Sequence, residues 1–251
     1  MKRPPEDTFT KLCKFIGYGN LEAPVWFIGP EERLLEETEE QIVQHLEIRR
    51  RFKPVECLRG VHVRKLKELT CPGLEPKLQG TWKRMCWIML WLENRDPTKN
   101  RLDVLDYQTC QLGVTGGRTL LTELLPLPKK STRPCDWPDF YSREFGFQGL
   151  EDYKASVLPC RLNMLRELVE RYNPPAIVCY GKGYWGAFQE LFELFGKFTP
   201  DQGDKTIQTI ERIERIDSVV IRTHHFSRGL THKSARRIAD LIRPKLPPGT
   251  T

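Results

Sequence analysis

The 251-residue chain lacks C-x-x-C spacing, although it has eight cysteines: Cys13, Cys57, Cys71, Cys86, Cys110, Cys135, Cys160 and Cys179. That spacing gives no support to a zinc or redox site. A chain this long needs no disulfides. Most of the eight are expected to be buried free thiols, above all Cys179, which lies in an apolar run. No apolar run approaches the length of a membrane span. The first residues, Met1 to Asp7, lack the apolar core of a signal peptide. A cytoplasmic chain with no membrane partner is expected, nucleoid-associated if bacterial. Internal repeats and low-complexity segments are also missing, which argues against solenoids and flexible arrays. Full P-loop and dinucleotide patterns are absent too. Gly181-Lys182-Gly183 is only a fragment of one, so no nucleotide cofactor is expected.

What is present is an ordinary globular composition, 39% hydrophobic and 29% charged, compatible with one large domain or two small ones. The charge, +7 overall, is unevenly placed. From Arg222 to Thr251 there are seven basic residues and one acid, Asp240, a local charge of +6. Such a patch suggests a polyanionic partner, most simply nucleic acid, though a solvated helix face gives the same count.

The stretch Ala23-Pro24-Val25-Trp26-Phe27-Ile28-Gly29-Pro30-Glu31-Glu32 organises the chain. Val25 to Ile28 reads as a fully buried strand, stopped by the Gly29-Pro30 turn. Ligands bind at the carboxyl ends of strands in open parallel sheets, so Glu31 and Glu32 stand where chemistry is usually done. The plainer reading is the acidic first turn of a helix. A polar arm and short helix precede this strand, over residues 1–22. Helices are predicted over Leu34–Phe52, Thr81–Asn94, Leu158–Tyr172, Tyr184–Phe195 and His232–Ile242. Strands are predicted at Thr119–Leu125, Ala176–Gly181, Ile207–Ile213 and Ser218–Thr223. Residues 53–80, 95–117 and 129–150 read as loops, and 244–251 as a frayed tail. Helix and strand alternate, which argues a three-layer α/β/α fold around a central, mainly parallel, four-stranded sheet, all in one domain over 1–251.

Three strand ends carry the functional signal: Gly29-Pro30-Glu31-Glu32, Leu121-Thr122-Glu123-Leu124 and Thr223-His224-His225-Phe226-Ser227. Two adjacent histidines lack the further ligands a metal needs, so no metal is expected. The order and spacing of these motifs resemble the uracil-DNA glycosylase superfamily, over most of residues 24–243. The resemblance implies a first motif whose acid, here Glu31 with Glu32 beside it, orients water. It implies a His, here His225, and then a loop entering the DNA groove. Phe226 stands where the family has Pro. Glu123 stands where the family has a base-reading Asn. Gly29-Pro30-Glu31 departs from the family's letters, and the paired N-terminal cysteines of its iron–sulfur branch are absent, with Cys13 alone. Cys135 and Cys160 cannot hold a cubane cluster by themselves, so no cofactor is expected.

The resemblance therefore implies a monomeric, monofunctional DNA glycosylase that flips a base from single- or double-stranded DNA and hydrolyses its N-glycosidic bond. Glu31 and His225 would be catalytic. Gly29, Pro30, Glu32, Glu123, Phe52 and Trp82 would contact the substrate, with Trp137 and Tyr141 in a long loop near the pocket. Ser227, Arg228, Gly229, Leu230, Lys233, Arg236 and Lys182 would contact DNA, Leu230 as an apolar wedge and Arg237 as a further phosphate partner. An ionised Glu123 offers acceptors only, which suits the amino group of cytosine; a Glu123 protonated in a dry pocket would instead mimic Asn, and a shifted register would place Thr122 on the base. A modified cytosine in foreign, phage DNA is the expected substrate. Uracil-excising repair, a DNA-binding protein of the same fold without chemistry, and an unrelated nucleotide enzyme using Gly181 are the competing readings.

Overall fold

The structure, a computed structural model, describes residues 6–32, 38–61, 78–131, 133–210 and 217–247. Helices are α1 (Glu6–Lys14), α2 (Glu39–Arg49), α3 (Leu58–Gly60), α4 (Gly80–Leu92), α5 (Arg101–Cys110), α6 (Asp139–Phe145), α7 (Leu150–Tyr172), α8 (Trp185–Leu191), α9 (Phe226–Gly229) and α10 (His232–Ile242). Strands are β1 (Gly17–Gly19), β2 (Val25–Gly29), β3 (Val55–Glu56), β4 (Thr119–Glu123), β5 (Ala176–Tyr180), β6 (Phe198–Pro200), β7 (Ile207–Ile210) and β8 (Val219–Thr223). They form one sheet in the order β3-β1-β4-β2-β5-β8-β7-β6.

The sheet is eight-stranded and mixed, not the four-stranded sheet expected. Its centre, β4-β2-β5-β8, is parallel throughout. β1 joins β4 antiparallel, and β7 and β6 continue antiparallel from β8. The strands missed by pattern, β1, β3 and β6, have only two or three residues each, too few to establish a period of two.

The central strands are apolar on both faces because both faces are covered. Trp26 and Ile28 of β2 point into a core shared with α7 and α8, while Val25 and Phe27 point into one shared with α4 and α10. Helices on both sides make three layers. α4 is apolar nearly all round, buried from Met85 to Leu90.

Boundaries moved for local reasons. α7 begins at Leu150, eight residues before the predicted start, and carries Pro159 within it. Proline usually ends a helix, which is why the first turns were read as loop. The predicted loop 129–150 contains α6 and a 3-10 turn at Pro134–Asp136. The polar stretch 95–117 contains α5, capped by Asn100. The predicted helix Leu34–Phe52 is described only from Thr38, as α2 with a Thr38–Gln41 capping box. Of the seven cysteines described, only Cys86 and Cys179 are buried. Cys110, Cys135 and Cys160 are exposed, so the expectation of mostly buried thiols fails. No helix among the described residues is long and apolar enough to cross a membrane.

Candidate functional site

Along the chain, the parallel strands run first β2, then β4 on one side, then β5 on the other. The order therefore reverses between β2 and β5, and a ligand crevice is expected outside the carboxyl ends at that point. Gly29 ends β2 there. A Cβ at Gly29 would stand 2.2 Å from the Tyr180 hydroxyl, so only glycine lets the Tyr180 ring lie across the strand end. Gly181, at φ +121, faces Pro30, whose Cγ would be 3.1 Å from an added Cβ. Close approach of two turns explains this glycine. Lys182 is exposed in the 3-10 turn that follows, its Nζ 6.0 Å from the Trp185 ring. No phosphate loop is needed to account for Gly181-Lys182-Gly183.

Beyond the strand ends the two chains stay zipped together. Leu124 N–H donates to the Gly29 carbonyl, Leu125 to Pro30 and Lys129 to Glu32, at 2.9–3.0 Å. This zipper carries Lys129 to Glu31. The Lys129 side chain is fully buried, with Nζ 3.2 Å from Glu31 Oε1. Its hydrogen bond goes to the Ser131 carbonyl at 2.8 Å. Tyr184 donates to Glu31 Oε2 at 3.1 Å. Glu31 Oε1 is thus buried against the Lys129 ammonium. Burial raises the Glu31 carboxyl above the usual range, and Lys129 and Tyr184 hold it down in part. Tyr141 donates to the Pro128 carbonyl, and Tyr153 accepts from Leu127 N–H. Tyr141 is a buried anchor of the Lys129 loop, and Trp137 packs on it.

Glu32 points away from Glu31. It pairs with Arg49 of α2 and accepts from the Tyr18 hydroxyl at 2.9 Å. Arg49 also donates to His45 Nε2 at 2.8 Å and lies between the Phe15 and Phe52 rings. Phe52 therefore shields an ion pair.

Glu123 sits opposite Gly29 in the register. Its side chain lines a crevice with Phe15, Ile16, Tyr18, Leu121, Leu125, Pro126 and Arg161, with about 10 Å³ open to water. That is the lower limit for one water, and far too small for a base. Arg161 does not pair with the Glu123 carboxyl. It spends its guanidinium on the carbonyls of Glu123, Leu124, Cys13 and Phe15, at 2.5–3.3 Å. Burial in this crevice pushes Glu123 up to about 8, against the lowering pull of Arg49 and with Glu31 adding to the rise. At neutral pH the carboxyl holds its proton, so it offers a donor and an acceptor. The expectation of an acceptor-only Glu123 is corrected by this environment.

At the end of β8, His225 caps α9. Its Nδ1 accepts from Ser227 N–H at 3.3 Å and lies 2.8 Å from Ser227 Oγ. A backbone N–H can only donate, so the proton of the neutral ring is on Nε2. Phe226 is fully buried, stacked on Tyr180 at 4.5 Å between centroids. Tyr180 also meets the His225 ring edge-on at 5.7 Å. One tyrosine thus links Gly29, Phe226 and His225.

Leu230 is 3% exposed and packs in the core under α4 and α10. It is a core residue in this conformation, which corrects its reading as an exposed wedge. Ser227 is exposed and Gly229 partly so, packed on His224; Arg228 lies in α9. Trp82 is half-buried near the start of α4, against that same core, and a Cβ added at Gly80 there would stand 3.5 Å from Ser227 Cβ. The basic segment is largely committed to structure. Arg237 makes a two-pronged pair with Asp201, so it is not a free phosphate partner. Arg222 lies against Trp185 and Phe198, Arg243 pairs with Asp240, and Lys245 with Asp217. Lys233 and Arg236 remain exposed, with Arg236 5.0 Å from the Trp91 ring.

Sequence reasoning missed Lys129, Tyr180, Tyr184, Arg49 and Arg161. Lys129 had one usable signal, its place after Pro126-Leu127-Pro128 at a strand end. The other four are scattered over helices and strand ends, and only the tertiary fold brings them together. Sequence models of known families do not match this chain, and comparison with curated proteins gives no match.

Proposed function

We propose that the protein is a monofunctional DNA N-glycosylase acting on a non-standard base. The observation that carries this reading is Glu31, a buried carboxylate held by the Lys129 ammonium at one oxygen and the Tyr184 hydroxyl at the other, at the strand-order reversal. Such an acceptor suits a water proton. In the reaction water oxygen adds to the sugar C1′ and the C1′–N bond breaks. The base leaves with the bonding electrons, and the water proton passes to Glu31. The leaving base carries negative charge, which the His225 Nε2–H would stabilise. Glu123, protonated, reads the base from the β4 side. The base is a modified one foreign to the host genome. A 5-modified cytosine fits through its amino group, and the neutral carboxyl also admits a carbonyl-bearing base such as uracil.

A second reading rests on a specific observation. Lys129 neutralises Glu31 and the crevice at Glu123 is too small for a base, which suits a DNA-binding protein of this architecture without chemistry. Incubation with matched duplexes and single strands carrying uracil, cytosine or 5-substituted cytosines, then alkaline cleavage, separates the two. Strand breaks at one base type support the glycosylase. DNA binding with no break at any base supports the second reading.

A further inference from the structure

A second charged cluster lies outside this site, where α4, α5 and α10 meet. His232 stacks on Trp87 at 3.4 Å between centroids. Lys83 Nζ and Arg84 Cζ lie 5.0 and 4.5 Å from the same ring. Arg101 opens α5, and Lys233 and Arg236 are exposed on α10. Among the described residues, no carboxylate pairs with Lys83, Arg84, Arg101, Lys233 or Arg236. Nearby acids are committed elsewhere: Asp96 to Thr98, Asp103 to Arg95 and Asp240 to Arg243. Arg84 Nε and His232 Nδ1 are shielded from water and make no hydrogen bond.

Two physical facts set this cluster apart from an ordinary basic face. First, the cations repel one another. Lys83 and His232 are both held below their usual values, first by desolvation and then by neighbouring cations, including Arg84 for each. Second, Lys83, Arg101 and Lys233 sit near helix N-termini, where the dipole disfavours positive charge. Neither α4 nor α10 has an acid in its first turn. Chain repulsion and dipole therefore add, and an anion relieves both.

We propose that the α4–α10 face, from Lys83 and Arg84 to Lys233 and Arg236, is a phosphate track that holds the DNA backbone. It rests on the reading of DNA as partner. Position favours DNA over a separate small anion: Gly80, at the start of α4, approaches Ser227, so the track runs on from the β8 motif. The spread of cations over three helix ends matches a run of phosphates better than one. Lys182, across the motif on the β5 side, lies outside the track.

The test is binding of an unmodified 20-base-pair duplex, followed by fluorescence anisotropy from about 50 to 200 mM salt. The variants are Lys83→Gln with Arg84→Gln, and a control pair, Arg171→Gln with Lys197→Gln, both exposed residues away from this face. Each lost phosphate contact lowers the slope of log affinity against log salt by about 0.9, so the track pair should lose about two and bind about tenfold more weakly. The control should keep the wild-type slope, and Arg84→Lys should retain most of it. Circular dichroism checks that each variant is folded. A track pair with the wild-type slope, or a control that loses as much, overturns the proposal. Duplex binding with this pattern but no base excision leaves the track standing and removes the glycosylase reading. No duplex binding by the wild type removes both.

Discussion

The carboxyl ends of β2 and β4 and the α4–α10 face are both crowded with charge, and they treat it in opposite ways. At the strand ends acids and cations alternate: Glu31 with Lys129, Glu32 with Arg49, and Glu123 kept neutral beside Arg161. At the helix face Lys83, Arg84 and Arg101 pair with no acid among the described residues. A buried charge must be compensated by the protein itself, because bulk water does not solvate it. A surface charge can be left for a partner. The first arrangement fixes its side chains through mutual pairing, and the second leaves its charges unpaired.

The largest effect should come from uncompensating the compensated region. Lys129→Met strands Glu31 as a buried acid and should cost about 3–5 kcal/mol. Adding Glu31→Gln should restore much of it, since an apolar or neutral pair can replace a buried ion pair at little cost. Urea unfolding at pH 7 measures both. A single variant as stable as wild type would show that water reaches Glu31 freely.

Next comes Leu230, which adjoins the cationic face yet belongs to the core. Leu230→Ala should cost about 2–5 kcal/mol by leaving a cavity, while Arg236→Gln on the exposed side of α10 should stay within about 0.5 kcal/mol. Equal and small effects would place Leu230 at the surface and restore its reading as a wedge.

The pH-dependent effects should have opposite signs in the two regions. Burial pushes the Glu123 carboxyl up to about 8 in the folded chain, against about 4.3 for an unperturbed Glu. Between those values the native state holds a proton that the unfolded chain has lost, so stability falls as pH rises, by up to about 1.4 kcal/mol per unit. Glu31 is shifted the same way. His232 is lowered, so the unfolded chain holds the extra proton and stability rises with pH until its unfolded value near 6.5 is passed. Glu123→Gln should therefore flatten the decline from pH 5 to 8, whereas His232→Gln should steepen it below pH 6.5. Thermal unfolding across that range gives both slopes. Profiles that move the same way would contradict the assignment.

The parallel centre of the fold was legible because Val25–Gly29 and Ala176–Tyr180 are apolar without a break, bounded by Gly and Pro. The edges were not, because β1 and β3 are held by register with neighbours and leave no pattern of their own. In the site, Glu31 and His225 were legible as polar groups just past strand ends. The state of Glu123 was not, since it depends first on its burial and then on Arg49 and Glu31, which only the tertiary fold brings near it. The charge of the C-terminal segment misled in part. Three of its seven basic residues are bound in pairs such as Arg237–Asp201, and its best unpaired companions, Lys83 and Arg84, lie about 150 residues earlier.

Glu31 and Glu32 are adjacent in sequence but face different partners, Lys129 and Tyr184 for one, Arg49 and Tyr18 for the other. Single-turnover base excision by Glu31→Gln and Glu32→Gln, on the base the wild type removes, tests the account most directly. The account predicts that Glu31→Gln loses about 10²–10⁴-fold in rate while still binding DNA, and that Glu32→Gln keeps the chemical step. Full rate in Glu31→Gln, with the loss in Glu32→Gln instead, would contradict it.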